Sequence, residues 1–545
     1  MDWIDKTFAD VLHFAADRYG EQQAVIHEGN SLTYSQLLER TQAFARGLLE
    51  IGVKKGDHVA LWMPDSLEWI VARWAVPYVG AILVPLNTRL RGKDLEFILK
   101  QSDTSVLIFQ NRFSNFNYLE TLSGALQSDI SASSQGKIGG DKFPKLKRII
   151  VVSDQSHYGM DAFSDIEASG AERLGQDTDL AEARSRVEAG DVAQILYTSG
   201  TTALPKGAMV CHGPLLQNNT ASFQRMNLTK EDRFLASVPL FSATGTSYNL
   251  AITLVGGAII ILDRFSAENF CNKVEEHRIS VTFFLDTIVQ DLKHYPGIKN
   301  HDLSSLRTGT GAPLSAESFD YLAEKIGITQ LTGVYGMSET SNAVCRTYFN
   351  DPVEVRRETS GSPVPGAEIT IINTQTGEPA AVDEIGEIRV SGFMVMPGYY
   401  NRPDENAATF DEQNRLRTGD LGKFTSDGQM AYCGRLKDMI KPSGFNVSTQ
   451  EIEGYLKAIP GISEAAVVGV PDQRLGEVAF AFIEIVDGKT LLPEDVIQHC
   501  RKEIASYKVP RYVRTINSWP RTSTGKIQKQ QLQSQAEELV LSGKV

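Results

Sequence analysis

Between residues 197 and 207 the chain reads Tyr197-Thr198-Ser199-Gly200-Thr201-Thr202-Ala203-Leu204-Pro205-Lys206-Gly207. Hydroxyls and free backbone N–H groups donate to phosphate oxygens, glycines let the backbone come close, and a lysine supplies a mobile point charge. The composition is that of an anion-handling loop, with a plain turn as the alternative. The nucleotide-loop spacing G-x-x-x-x-G-K-[ST] is not met, because Pro205 stands where its second glycine belongs and Gly207 follows the lysine. Three further charged residues stand far downstream: Glu339 in Tyr335-Gly336-Met337-Ser338-Glu339-Thr340, able to hold a hard cation, Asp420 in Arg417-Thr418-Gly419-Asp420, able to accept two hydroxyls, and Lys526 after Ser523-Thr524-Gly525. Each also has an ordinary reading, respectively a solvated helix-start glutamate, a turn-forming aspartate and a solvated loop cation.

The elements around these residues set where they can act. Val192-Ala193-Gln194-Ile195-Leu196 is a short apolar run that predicts a buried strand delivering the chain into the hydroxyl-rich loop. Upstream, Thr33-x-x-Gln36 is a capping-box pattern, and the apolar period from Leu37 to Leu49 predicts a helix over 35–51 that ends at Gly52. Strand-like runs at 58–63, 81–84 and 105–109, separated by helix-length segments, predict a mostly parallel sheet covered on both faces. Residues 131–142, rich in serine and glycine, read as a surface loop. A second strand–helix series spans 234–334, so the large domain is expected to hold two similar α/β halves. Short alternating runs at 368–372, 387–390 and 429–432 predict a β-rich subdomain. Past Asp438, a helix near 448–457, strands near 465–470 and 479–485, and a helix near 493–504 predict a separate small α+β domain.

The 545 residues exceed what one core supports, and 42% hydrophobic with 22% charged residues is ordinary globular composition. A formal charge of −13 disfavours nucleic acid and anionic membrane as general partners. Five scattered cysteines without C-x-x-C spacing fit a reduced, cytoplasmic setting. The longest apolar run, 254–262, is too short to span a bilayer.

With Gly434-Arg435-Leu436-Lys437-Asp438 and Pro520-x-x-x-x-Gly525-Lys526 added to the motifs above, the sequence resembles the adenylate-forming superfamily of acyl-CoA synthetases, luciferases and peptide-synthetase adenylation domains. The resemblance runs from Leu32-Thr33-Tyr34 to Gly525-Lys526-Ile527, with the motifs in the family's order. It implies an N-terminal domain over 1–436 that holds the ATP and acyl sites, and a mobile C-terminal domain over 437–545. Thr198, Ser199, Gly200, Thr201, Thr202 and Lys206 would bind the ATP phosphates. Glu339 would hold Mg²⁺, and Thr340 would donate to the α-phosphate. Gly311, Ala312, Pro313, Tyr335 and Gly336 would enclose adenine, while Asp420 and Arg435 would take the ribose. Lys526 matches the family's adenylation lysine, and a cation there has a chemical reason: an attacking carboxylate and the α-phosphate are both anions, so one cation touching both stabilises the transition state. Lys437 matches the hinge. Lys441 and Gly444 match residues that face the site only after rotation, Lys441 near the reacting groups and Gly444 along the CoA channel.

The implied activity is that of an ATP-dependent carboxylate–CoA ligase: acyl-adenylate formation with pyrophosphate release, then thioester formation with CoA and AMP release. An amino-acid or aryl-acid adenylating enzyme is the alternative, although no aspartate occurs from Pro239 to Gly245 to pair a substrate ammonium. A non-catalytic nucleotide binder would be expected to lose Lys526 or Glu339, and both are present. The expected acyl pocket draws on Phe241, Ser242, Gly245, Gly309 and Ala343. Its small, uncharged members favour a medium-chain, alicyclic or aromatic acid without a second charge. Departures from the family pattern include Ala203 for the loop's central glycine and Ser242 where many relatives carry histidine. A homodimer and an acyltransferase that modifies Lys526 complete the expected partners.

Overall fold

The computed structural model describes residues 2–126, 142–155, 157, 159–176, 178–198, 205–311, 314–440, 447–472, 475–486, 488–521 and 526–544. Most of the loop expected at 131–142 lies outside them. The chain divides into two compact units, Met1–Glu368 with Val390–Leu416, and Ile369–Arg389 with Arg417–Val545.

In the first unit, the helix expected at 35–51 runs over Tyr34–Glu50. Its capping box is formed: Gln36 N donates to Thr33 Oγ1 at 3.3 Å, and Thr33 N donates to Gln36 Oε1 at 2.9 Å. One face buries Leu37, Phe44, Ala45 and Leu48. The three expected strands are His58–Trp62, Ile82–Pro85 and Val106–Gln110, paired in parallel. Val192–Thr198 extends this sheet in parallel beside Ile82–Pro85, and Lys206–Cys211 turns back antiparallel at its edge. Arg148–Val152 and Asp161–Ala162 complete seven strands among the described residues.

The second sheet has nine strands, in the spatial order Ser362–Pro363, Asn342–Arg346, Gln330–Met337, Thr308–Gly311, Val281–Phe284, Arg233–Ala236, Ala258–Ile261, Gln23–His27 and Asn30–Thr33. Its central strands are parallel and carry near-continuous apolar or small side chains, as sheets covered on both faces require. The two α/β halves are not successive stretches of chain, because Gln23–His27 pairs with Ala258–Ile261, with Ile26 opposite Ile260. Long-range strand pairing of this kind leaves no local signal.

The second unit contains most of a four-stranded sheet, ordered Glu368–Ile372, Gly386–Ser391, Leu416–Phe424 and Met430–Arg435. Farther along, Ile462–Asp472 and Gly476–Ile485 pair antiparallel, and Tyr512–Thr515 adds in parallel to the latter. Both faces of this small sheet are apolar. Val467 and Ala481 join Ile452, Leu456 and Val496 on one side, whereas Val468, Phe480 and Phe482 pack with Leu532 and Ala536 on the other. The covering helices are Thr449–Lys457 and Pro493–Glu503, as expected, and an unanticipated C-terminal helix, Lys529–Leu541.

Candidate active site

The residues at the two ends of the hydroxyl-rich loop, Thr198 and Lys206, lie directly opposite each other on antiparallel strands. Ser199, Gly200, Thr201, Thr202, Ala203 and Leu204 lie outside the described residues; the two ends of the loop lie within them. A segment absent from the sequence-based site list braces it: Tyr400 N donates to Gly207 O at 2.9 Å, and Met209 N donates to Gly398 O at 3.1 Å. This puts Tyr399 beside the strand that begins at Lys206. Its hydroxyl donates to Glu339 Oε1 at 2.8 Å, and the Lys206 ammonium lies 5.4 Å from its ring centroid. Thr198 Oγ1 reaches the same carboxylate oxygen at 3.4 Å. Burial, reinforced by the Glu339 charge, raises the Tyr399 phenol well above its ordinary pKa, so it stays a neutral donor. Thr198, Lys206, Glu339 and Tyr399 thus form one polar cluster, with Glu339 as the carboxylate able to ligate a cation. Pro397-Gly398-Tyr399 carried a signal of its own, since a tyrosine after Pro-Gly follows a turn and is free to face a site.

Glu339 sits in a tight turn after the strand Gln330–Met337. Met396 N donates to the Glu339 carbonyl at 2.8 Å. Ser341 and Asn342 both adopt positive φ, +50° and +99°, a conformation that L-residues hold only when their surroundings impose it. Helix His212–Phe223 imposes it here: Asn218 Nδ2 donates to the carbonyls of Thr340 and Ser341 at 3.1 Å, and Asn342 Nδ2 donates to Asn219 Oδ1 at 2.9 Å. Thr340 is buried, and its hydroxyl serves this turn by donating to Asn342 O at 2.7 Å. Tyr335 is also buried, opposite Cys345. A Cβ at Gly336 would lie 2.2 Å from Asn342 O, so the two strands approach here only because the residue is glycine. Gly311 ends the strand Thr308–Gly311; Ala312 and Pro313 lie outside the described residues.

The residues assigned to the acyl pocket divide by environment. Ser242 is the N-cap of helix Ala243–Val255: its Oγ accepts from Gly245 N at 3.0 Å and donates to Pro239 O at 2.7 Å. Its role as a cap accounts for a serine at this position. Gly245 does not face open space, because a Cβ there would lie 2.4 Å from Pro239 O. A Cβ at Gly309 would meet Thr282 O and the Phe284 ring. Phe241 is half-buried and Ala343 fully buried. Beneath the turn, Leu240 N donates to both Asp65 carboxylate oxygens, at 3.0 and 3.2 Å, and burial raises Asp65 to about 7.

In the second unit, Asp420 and Arg435 are partners across the hairpin of Leu416–Phe424 and Met430–Arg435. Arg435 Nε lies 3.6 Å from Asp420 Oδ1. Thr418 Oγ1 accepts from Asp420 N at 3.0 Å and donates to Ile388 O at 2.7 Å, so the strand, kinked at Gly419 with φ +67°, presents the carboxylate in a fixed direction. Lys526 is exposed at its own surface yet crowded by protein. That crowding, then the Arg435 cation, lowers its pKa, and the Asp420 carboxylate opposes the shift. The loop carrying Lys526 is tied at its base: Arg521 bridges Ile527, and Gln528 N donates to Pro520 O at 2.7 Å. Lys529 then pairs with Glu453 Oε1 and Thr449 Oγ1, both at 2.7 Å. Lys437 occupies a one-turn helix, Leu436–Asp438. Lys441 and Gly444 lie outside the described residues.

The sequence pattern defining the AMP-binding enzyme family matches residues 12–400, and that of the AMP-binding enzyme C-terminal domain matches residues 451–526. A ligase of Rhodococcus jostii for the CoA thioester of 3-[(3aS,4S,7aS)-7a-methyl-1,5-dioxo-octahydro-1H-inden-4-yl]propanoate is 33% identical over 537 residues, covering 97% of this chain and 98% of its own. The mitochondrial medium-chain acyl-CoA ligase of Bos taurus is 30% identical over 544 residues, covering 98% and 88%. Among solved structures, ATP-bound MatB of Rhodopseudomonas palustris superposes with a TM-score of 0.83 at 24% identity, covering 97% of this chain and 99% of that one. No described helix is long and apolar enough to cross a membrane.

Proposed function

The chain belongs to the AMP-binding enzymes, and from that premise we propose that it is an ATP-dependent carboxylate–CoA ligase. In the first step a carboxylate oxygen attacks the α-phosphorus of ATP; the bond from that phosphorus to the β-bridging oxygen breaks, and pyrophosphate leaves. In the second step the CoA sulfur attacks the acyl carbon, the acyl–phosphate bond breaks, and AMP leaves. The observation that carries this reading is the grouping of Lys526 with Asp420 and Arg435: a ribose-accepting carboxylate and the cation that adenylation needs share one electrostatic neighbourhood.

The candidate site residues divide the scheme among them. The ends of the phosphate loop at Thr198 and Lys206 bind the triphosphate, and Asp420 accepts from the ribose hydroxyls. Thr340 redirects its hydroxyl from Asn342 O to the α-phosphate, and Tyr335 with Gly336 and Gly311 borders the adenine. Glu339 is the ligand for Mg²⁺: a carboxylate steadied by the hydroxyls of Tyr399 and Thr198 fits a hard cation that takes its other ligands from water and phosphate. Bound there, the ion would neutralise phosphate charge. Lys526 holds incoming carboxylate and α-phosphate together. For the second step, residues 437–545 rotate about Lys437 and bring Lys441 and Gly444 to the adenylate. The relatives' names support a medium-chain or alicyclic acid as substrate, with an aryl acid as the alternative. Self-association and acylation of Lys526 belong to the same reading.

The test is pyrophosphate release from a panel of medium-chain, alicyclic and aromatic acids, with and without CoA. Release that requires an acid and ends in acyl-CoA only when CoA is present supports the ligase. Release with an amino acid alone would favour the adenylating alternative, and binding of ATP without turnover of any acid would overturn the proposal.

A further inference from the structure

Arg346, the last residue of the strand Asn342–Arg346, is 2% exposed and has no carboxylate partner among the described residues. Its Nε donates to Ser222 Oγ at 2.8 Å, and its Nη1 donates to Thr310 Oγ1 at 2.7 Å and Thr332 Oγ1 at 3.2 Å, with Met226 Sδ beside it. The guanidinium lies 4.7 Å from the centroid of the Phe223 ring. Tyr248 is the remaining polar neighbour, and the other charge acting on Arg346 is a second cation, Arg225. A guanidinium remains charged inside a protein, and burying it without an anion is costly. Hydroxyls and a thioether satisfy its hydrogens but leave its charge unbalanced, so this interior favours an incoming oxygen with negative or partly negative charge.

Its position says what that oxygen belongs to. Tyr248 lies three residues beyond Gly245 on the same face of the helix capped by Ser242, whereas Thr310 and Thr332 lie on the strands that carry Gly309 and Tyr335 and point to the face opposite Gly309, whose missing side chain faces Phe284. The strand ending at Arg346 begins beside Ala343. The elements that hold the cation are therefore the ones that carry the acyl-site candidates.

Resting on the ligase reading above, we propose that Arg346, with Thr310 and Thr332, determines acyl specificity by binding an acceptor oxygen at the substrate end remote from the reacting carboxylate. That oxygen is a carbonyl or a second carboxylate. This revises the expectation of an uncharged pocket, which rested on Ser242, Gly245, Gly309 and Ala343 alone.

Pyrophosphate release by the full chain is measured with three acids of equal length: octanoate, 7-oxooctanoate and octanedioate. For the wild type, kcat/KM for at least one oxygen-bearing acid is expected to exceed that for octanoate by roughly 10- to 100-fold, the worth of one hydrogen bond to a charged group. The better of the two distinguishes carbonyl from carboxylate. Arg346→Met keeps the volume and removes the charge; it should abolish or invert the preference, and Arg346→Lys should keep part of it. If the methionine variant does not fold, the wild-type ranking and the lysine variant decide. Octanoate equal to or better than both others in the wild type overturns the inference and leaves the ligase reading standing. A uniform loss for all three acids in a folded Arg346→Met also overturns it, by making Arg346 a structural clamp. No pyrophosphate with any acid overturns both.

Discussion

Replacing Tyr399 by phenylalanine removes one atom from the cluster around Glu339 and leaves the rest. The ring remains for the Lys206 ammonium 5.4 Å away, and Thr198 still faces the carboxylate at 3.4 Å. Lost is the 2.8 Å O–H···O⁻ bond that fixes the direction of Glu339 Oε1. A hydrogen bond to a charged acceptor contributes about 1.5–3 kcal/mol, and part of that returns as the carboxylate gains water, so about 1.4–2.5 kcal/mol of positioning is at stake. Expressed through a bound cation, this is a rise of roughly 10- to 70-fold in the Mg²⁺ concentration giving half-maximal pyrophosphate release, in the range seen when a ligand's supporting hydrogen bond is removed. The assay is a Mg²⁺ titration of pyrophosphate release at saturating ATP and acid, with melting curves to show that the fold is intact. If the titrations of Tyr399→Phe and wild type superimpose, Tyr399 does not position a metal ligand. If only the plateau falls, Glu339 has a role other than holding Mg²⁺.

Two further outcomes separate roles elsewhere in the chain. Lys526→Ala should lower adenylation by roughly 10²- to 10³-fold, as removing one transition-state donor does, yet still convert supplied acyl-AMP and CoA to thioester; equal loss of both half-reactions in folded protein would refute the assignment, and acetylation of Lys526 should mimic the variant. Asp65, raised by burial from its ordinary 3.8 to about 7, holds its proton more tightly folded than unfolded, so its contribution is fully present below about 3.8, falls as pH rises to 7 and is gone above. Asp65→Asn should remove that slope, and parallel urea-midpoint profiles for variant and wild type from pH 4 to 8 would contradict it.

Local chemistry was legible in the sequence, and long-range geometry was not. The capping box at Thr33 and Gln36 and the apolar period behind it give the helix almost to the residue, because both signals are contained within four or five neighbours. Strand runs were equally readable, but their order in the sheet depends on partners hundreds of residues away. Glu339, Asp420 and Lys526 stood out because motifs surround them. Tyr399 did not, since a tyrosine after Pro-Gly also reads as packing; only the position of Glu339 gives it a task. Gly245 looked like a source of space and proves to be a point of backbone contact, as a missing side chain signals either. Arg346 was invisible for a different reason: arginine is ordinarily exposed, and nothing in its neighbours' types marks it as enclosed.

The strand Gln23–His27 has a consequence for how this chain comes into being. Its parallel partner, Ala258–Ile261, is made more than two hundred residues later. At ordinary rates of synthesis that interval is roughly 10–50 s. Throughout it, Ala24, Val25 and Ile26 have only the neighbouring strand Asn30–Thr33 to pair with, and their other edge stays open. An apolar strand waiting this long is a template for the wrong neighbour, including the same strand of another nascent chain on the same message. The nine-stranded sheet therefore closes around this strand only when the second half of the large unit emerges. The chain's yield in a cell should depend on whatever shelters the first thirty residues more than on the intrinsic stability of the finished protein.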